Sequence, residues 1–334
     1  MKRLAVIATI LVFVCFWATA RVRMDGVPFP QHYIDMQAGA GIGGLGYDLE
    51  GGYTKIAPTF DFGIGYTWFF LPAAGFQTGV HIARIASTAV LTEPMEWRTW
   101  QDDTRLTDYM GEEYTHRASF ADWREEQQVW LIQIPLGLRF RHFANMNSRY
   151  GLHVAAGALL TIPLRANYML ASGEVTHTGW YENWRLLLHD IPGRFETEAF
   201  AKQKESFKSH LRSFGVSVYA EAGMLIRLDE RVELILTAYV QWMPHDLLSA
   251  ISHKRENVGF ATERNSYAFM PEYHGIIGTD KTGALHPWGA GIKIGLSVWP
   301  GETSVQKRRC MCDQITQKNK PKSTKKSVRT TIFY

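Results

Sequence analysis

Residues 59–82 read TFDFGIGYTWFFLPAAGFQTGVHI. From Phe60 to Trp68 every second residue is apolar: Phe60, Phe62, Ile64, Tyr66 and Trp68, with Asp61, Gly63, Gly65 and Thr67 between them. After Leu71-Pro72-Ala73-Ala74 the alternation resumes, with Phe76, Thr78, Val80 and Ile82 against Gln77, Gly79 and His81. A period of two is the repeat of a pleated strand, and so short a connection makes the pair antiparallel. The two faces are unlike. One carries large aliphatic and aromatic side chains, and the other is small or polar with few long charges. A half-buried soluble sheet has its apolar face in the core and long solvated side chains outside. Glycine and glutamine suit a crowded interior instead, and aromatics gathered near strand ends (Tyr66, Trp68, Phe69, Phe70) match the girdles of a lipid-facing barrel.

The same beat recurs along the chain. Eight stretches show it, at about 32–45, 56–70, 75–90, 128–142, 149–163, 212–227, 231–243 and 286–299. Short connections, near 71–74, 144–148 and 228–230, alternate with longer ones at about 46–55, 91–127, 164–211 and 244–285. Such alternation is that of an outer-membrane barrel, with short periplasmic turns and long extracellular loops. Long structureless loops are uncommon in a compact soluble domain. The expected fold is therefore all-β: an eight-stranded antiparallel transmembrane β-barrel with both ends of the barrel in the periplasm.

Eight strands enclose a bore just wide enough for side chains to fill. Parity places Asp35, Asp61, His81, Gln133, Arg139, His153, Glu221, Arg227, Glu233 and Lys293 inside. Unpaired buried charges are costly, so acids and bases there are expected to pair. The bland reading is a polar plug that holds the barrel shut. The sharper one is a narrow gated conductance in which a pair such as Glu221 and Lys293 exchanges partners.

Nothing in the sequence points to catalysis. There is no G-x-S-x-G, H-E-x-x-H or P-loop. His245-Asp246, and Ser87 near His81, lack a supporting motif. No enzyme activity, cofactor or metal is expected. The 91–127 loop holds ten acidic and four basic residues with Trp97, Trp100 and Trp123. It reads as a solvated loop folded on its aromatics or as a surface site for a divalent cation or a partner. The 164–211 loop carries Trp180, Tyr181 and Trp184, and 194–212 suits a short polar helix.

The chain has 334 residues, of which 46% are hydrophobic, 13% aromatic and 20% charged, with 3 Cys. That excludes a disordered chain and a disulfide scaffold, and a slightly negative mean hydropathy excludes a bundle of transmembrane helices. Residues 1–20 read as a secretory signal: Lys2 and Arg3, an apolar run from Leu4 to Trp17 that includes Cys15, and Ala18-Thr19-Ala20 as the cleavage site. The barrel then occupies 21–300. Residues 301–334, with nine Lys or Arg, two acids and Pro321, read as a basic flexible periplasmic tail. Cys310 and Cys312 in that tail can bridge to each other, although a disulfide over so short a span is strained, or bridge to a partner, or hold a soft metal. The net charge of +4 is thus a composite. The signal carries +2 and the tail +7, which leaves 21–300 at −5.

The run Trp130-Leu131-Ile132-Gln133-Ile134-Pro135-Leu136-Gly137-Leu138-Arg139-Phe140-Arg141 resembles the fourth-strand motif of OmpA-type eight-stranded outer-membrane barrels of the Bacteroidetes. Ala38-Gly39-Ala40-Gly41-Ile42-Gly43-Gly44 and Phe76-Gln77-Thr78-Gly79 are similar to that family too, and the resemblance covers about 31–299. It implies a structural, adhesive or accessory barrel and no reaction. The end of the tail, Thr330-Thr331-Ile332-Phe333-Tyr334, resembles the start of the OmpA-like periplasmic domain. The chain is then either truncated before a peptidoglycan-binding domain or ends in a linker with an apolar tip. The expected partners are outer-membrane lipid and lipopolysaccharide, with peptidoglycan or a periplasmic protein at the tail, and no nucleic acid. The expected function is a structural envelope barrel of the cell outer membrane. The alternatives are an adhesin-like barrel acting through its long loops and an accessory barrel of a secretion or motility complex.

Overall fold

The period-two segments become strands, and the strands close into a ring. The computed structural model describes residues 31–300 apart from 93–94, 99–105, 109, 145–147, 192–194, 200–203, 230, 250–257, 261–270, 274 and 280. The expected signal (1–20), the tail (301–334), Cys310 and Cys312 lie outside the described residues. The barrel strands are β1 (His32–Gly44), β2 (Gly52–Leu71), β3 (Ala74–Leu91), β4 (Glu113–Phe143), β5 (Tyr150–Tyr181), β6 (Gly215–Arg227), β7 (Val232–Trp242) and β8 (Trp288–Val298). Each pairs antiparallel with its neighbours in chain order. β8 returns to β1 in an unbroken register from Ile34 opposite Val298 to Gly44 opposite Trp288, so no barrel edge is left open.

Burial alternates as the sequence does, with the large residues outside. Phe62 is 57% exposed, Val80 53% and Ile292 63%, and the exposed apolar row runs through all eight strands. An apolar exterior around a polar bore is the outside of a membrane barrel. The shortest strands, β7 and β8, have 11 residues, and at about 3.3 Å rise and a tilt of about 40° they span roughly 28 Å, the height of an outer-membrane apolar band. Tyr66, Trp68, Phe70 and Tyr150 rim one end, and Trp130, Phe214 and Trp242 rim the other.

Pro72–Ala73 joins β2 to β3, and the turns after β4 and β6 lie at the same end of the barrel. β1 begins and β8 finishes there as well. All four longer connections gather at the opposite end. Two of them differ from the sequence expectation. Residues 113–127, expected within a loop, are the first half of a 31-residue β4, and residues 164–181 are the second half of a 32-residue β5. The two strands leave the ring together as a paired ribbon that projects roughly 50 Å along its own length. Bulges hide this continuity in the sequence. Tyr114, His116, Ala118 and Phe120 face inward on even numbers, then Asp122 adopts φ 51° at a register shift, and Trp123, Glu125, Gln127 and Val129 face inward on odd ones. One extra residue swaps the faces of everything beyond it. The stretch 194–212, expected as a polar helix, instead holds short strands at Thr197–Ala199 and Lys204–Ser206 and a single 3-10 turn at Lys208–His210. Both short strands add to the edge of β5, whose open backbone groups take a strand in preference to a helix.

Candidate functional site

Within the bore, Asp35, Asp61, Glu221 and Glu233 meet Arg139, Arg141, Arg227 and Lys293. The groups lie in tiers. At the short-turn end Glu233 sits 3.4 Å from Arg227 Nε and 4.0 Å from Arg141 Nη1, while the Arg141 guanidinium lies 3.9 Å from the centre of the Phe69 ring. One tier up, Arg139 Nη1 donates to Asp35 Oδ2 at 2.8 Å, and Thr67 Oγ1 donates to the same oxygen at 2.7 Å. In mid-barrel Lys293 Nζ bridges Glu221 at 2.9 Å and Asp61 at 3.3 Å, and His81 Nδ1 reaches Asp61 at 3.3 Å. His153 Nε2 lies 2.7 Å from Thr237 Oγ1, and Gln133 Nε2 donates to Gln241 Oε1 at 3.2 Å.

Of the ten residues that parity assigns to the interior, nine are buried, and Arg227 is partly open at the short-turn rim. Glycine supplies their space. A β-carbon on Gly63 would collide with the His81 ring, and one on Gly137 with the Tyr219 hydroxyl. A gap at the level of Lys293 has a volume of about 10 Å³, at the lower limit for one water.

The sequence reading did not assign Arg141, Thr67, Thr237 or Gln241 to this network. Their signal was present, because each continues the inward parity of its strand. Glu125 and Gln127 also continue the inward parity of β4 but fall in the stretch expected as a loop, and His116 and His177 lie beyond register shifts. Glu125 and Gln127 close the top of the polar bore. Gln127 Oε1 accepts from Tyr47 at 2.8 Å and Ser87 at 3.0 Å, and its amide donates to Glu125 Oε1 at 2.8 Å. Glu125 Oε2 accepts the Ile276 backbone N–H at 2.9 Å. Burial and the Glu125 charge push the Tyr47 hydroxyl well above its ordinary pKa.

An apolar layer of Ile85, Val129 and Leu131 lies just beneath Gln127, and beyond Glu125 the same apolar cluster takes over the interior. Leu45, Tyr47 and Leu49 from the first long connection pack with Phe120 and Trp123 of β4 and Tyr168 and Leu170 of β5. Phe207 and Leu211 join from the third connection, and Met243, Leu248, Ile276 and Leu285 from the fourth. Backbone bridges tie these segments together, as in Arg212 N to Leu247 O at 2.8 Å and Gly283 N to Asp48 O at 2.9 Å. The result is a dry cap over the mouth. Farther out on the ribbon, His116 Nε2 and His177 Nδ1 lie 3.0 Å apart with stacked rings. Burial, and for His116 also its neighbour His177, lowers their pKa values to about 3 and about 4, so both are neutral near pH 7.

The two catalytic pairs considered in the sequence are not assembled. Ser87 bonds to Gln127, whereas His81 faces Asp61. His245 Nε2 accepts the Val216 N–H, and Asp246 Oδ1 accepts from Leu248 N and Leu285 N, so both hold loops in place.

No protein-family model and no curated protein matches the sequence. Among solved structures, the chain is similar to Neisserial surface protein A at 7% identity, over 80% of this chain and 96% of that one, with a TM-score of 0.32. It is similar to the outer membrane protein OprG from Pseudomonas aeruginosa at 11% identity, over 80% and 96%, with a TM-score of 0.33. It is also similar to Ail, the attachment invasion locus protein of Yersinia pestis, at 10% identity, over 80% and 99%, with a TM-score of 0.23. These likenesses are remote, and the eight-stranded barrel rests on the chain's own closed ring of hydrogen-bonded strands.

Proposed function

We propose that the chain is a non-enzymatic barrel of the Gram-negative outer membrane with a structural role in the envelope, sealed against solute passage. The observation that carries this reading is the filled bore: paired charges in tiers below, a dry apolar cap above. The short-turn end, with both ends of the barrel, faces the periplasm. The cap and ribbon face outward, and the basic tail reaches toward peptidoglycan or a periplasmic partner. The chain reconstituted in a planar bilayer is expected to give no conductance steps while showing heat-modifiable gel mobility. Steady single-channel currents would end the sealed reading, and absence of a mobility shift would end the barrel reading.

A second reading, a surface-binding barrel, is favoured by one observation. Beyond the end of β5, Trp184 is 66% exposed, with Leu186 and Leu187 also open to solvent. Large apolar side chains exposed near the tip of the ribbon suit a protein partner. Replacing Trp184, Leu186 and Leu187 with serine is expected to abolish surface adhesion with the barrel intact, and unchanged adhesion would exclude this reading.

A further inference from the structure

The outer wall carries a feature that neither the sealed bore nor the ribbon tip uses. Across β2 to β5, Phe60 stands opposite Arg84, Arg84 opposite Trp130, and Trp130 opposite Arg165. Directly opposed residues share a face, so the four form one outward row in which aromatics and arginines alternate. Phe60 adjoins the apolar belt through Phe62 and Ile82, which face lipid. The row therefore marks the upper edge of the membrane, where headgroups lie.

Immediately above it the wall opens. β2 loses register with β3 between Ile56 and Phe60. On the other side the Lys204–Ser206 strand stands against β5. Between them lies a cleft of about 320 Å³ whose lining includes Ala57, Pro58, Ala86, Arg84, Gln128 and Lys204.

The cations that line it, Arg84 and Lys204, and Arg165, which adjoins it through Asn167, are not neutralised. Arg84 Nε donates to Gln128 Oε1 at 3.2 Å, which leaves the outer guanidinium nitrogens for another acceptor. With the Asn167 amide turned to suit its neighbours, its oxygen accepts from Arg165 Nε at 2.8 Å. Glu126 also lines the cleft but lies 3.9 Å from Arg124. Among the described residues, the ion pairs include neither Arg84, Arg165 nor Lys204. Fixed arginine forks beside a lysine match a phosphate group, whose oxygens accept two parallel N–H bonds.

We infer that this cleft seats the phosphorylated headgroup of a lipid in the leaflet on the long-loop side, with its acyl chains against Phe62 and Ile82. A soluble anion would use the cations alone. An amphiphile uses the cations and the apolar wall directly beneath them, which is why the lipid is the occupant chosen. The inference rests on the membrane reading above.

The test uses the full chain in detergent, measured by native mass spectrometry. The probes are lipid A, a bisphosphorylated glycolipid, the same lipid with its phosphates removed, and inorganic phosphate. Wild type and Lys281→Ala are expected to retain lipid A. The pair R84Q/R165Q, which keeps side-chain bulk, is expected to retain it about tenfold less or worse, with its heat-modifiable mobility unchanged. Lys204→Gln is expected to give a smaller loss in the same direction. Equal retention by R84Q/R165Q would overturn the inference. So would equal retention of the dephosphorylated lipid, or millimolar inorganic phosphate displacing lipid A completely. A chain that shows the mobility shift but no preference for phosphate refutes this inference alone. A chain without the shift refutes the membrane reading and this inference with it.

Discussion

Below Glu125 the protein is inside out, and above it the protein is an ordinary globule. In the membrane portion Phe62, Val80 and Ile292 face outward while Asp35, Arg139 and Lys293 fill the centre. In the cap Trp123, Phe120 and Leu248 fill the centre while Glu126 and Arg124 face water. One continuous strand, β4, serves both arrangements. Its inward face stays on odd numbers from Arg141 up to Trp123, and the bulge at Asp122 lies within the cap, so what changes near Glu125 is the surrounding medium, from lipid to water. The alternation of a strand fixes which residues share a face, while the medium decides which face is buried. The two portions should therefore fail by different mechanisms.

The largest effect is expected in the barrel. Lys293→Met leaves Glu221 and Asp61 buried without their shared cation, and breaking a buried pair in this way costs about 3–5 kcal/mol. The urea midpoint of the gel-mobility transition reads that cost. Adding Glu221→Leu to Lys293→Met should recover part of the loss, because the charge left unpaired is then removed. If Lys293→Met left the midpoint unmoved, the interior pairs would have no structural weight. The next effect belongs to the cap. Trp123→Ala removes a fully buried ring that meets Phe120 edge-on at 4.9 Å, with a cost of about 3–5 kcal/mol. Here the readout is proteolysis of the ribbon, with the mobility transition of the barrel left in place. A barrel midpoint that fell as far as in Lys293→Met would make the two portions one cooperative unit and erase the distinction.

The barrel was legible in the sequence because its alternation is unbroken within each strand and its faces differ sharply in chemistry. Phe60 to Trp68 states both at once. The interior set was legible for the same reason, since a residue's parity is a local property. The pairing of those residues was less so, because it depends on which strands face one another across the bore. Glu221 meets Lys293 although the two are 72 residues apart. The cap and ribbon were not legible. Three register shifts, one from an extra residue in β4 and two from extra residues in β5, change the parity, and the wet faces of these strands carry acids that also suit a loop. The outer cleft was hidden more deeply, since Phe60, Arg84, Trp130 and Arg165 come together only through the register of four strands.

The ribbon is expected to respond to mild acid. His116 and His177 are buried as neutral rings, and their folded pKa values, about 3 and about 4, lie below the ordinary value of 6.5. The unfolded ribbon therefore binds protons before the folded one does. The stability of the ribbon is complete above pH 6.5 and falls as the pH drops, toward about 4 for His177 and about 3 for His116. The slope is at most about 1.4 kcal/mol per pH unit for each ring. Proteolysis of the ribbon is expected to accelerate between pH 7 and pH 4.5. That acceleration should be blunted in His116→Phe/His177→Phe, and a double variant that kept the full pH dependence would assign it elsewhere.

The smallest effect isolates burial itself. Lys281 Nζ lies 3.2 Å from Glu50 Oε2 on the cap, nearly the separation of Lys293 from Glu221. Both are lysine–glutamate pairs joined across segments distant in sequence. They differ in their surroundings, because the Glu50 side chain is 67% exposed while that of Glu221 is 4%. An exposed pair gains little over its two hydrated halves, so Lys281→Ala should cost less than about 1 kcal/mol, and raised salt should screen even that. In the barrel the same salt reaches neither partner, and the cost of Lys293→Met should persist. If the two substitutions cost alike, or if salt weakened both alike, water would have access to the bore near Lys293, and the contrast between a sealed polar interior and a solvated cap would fail at that point.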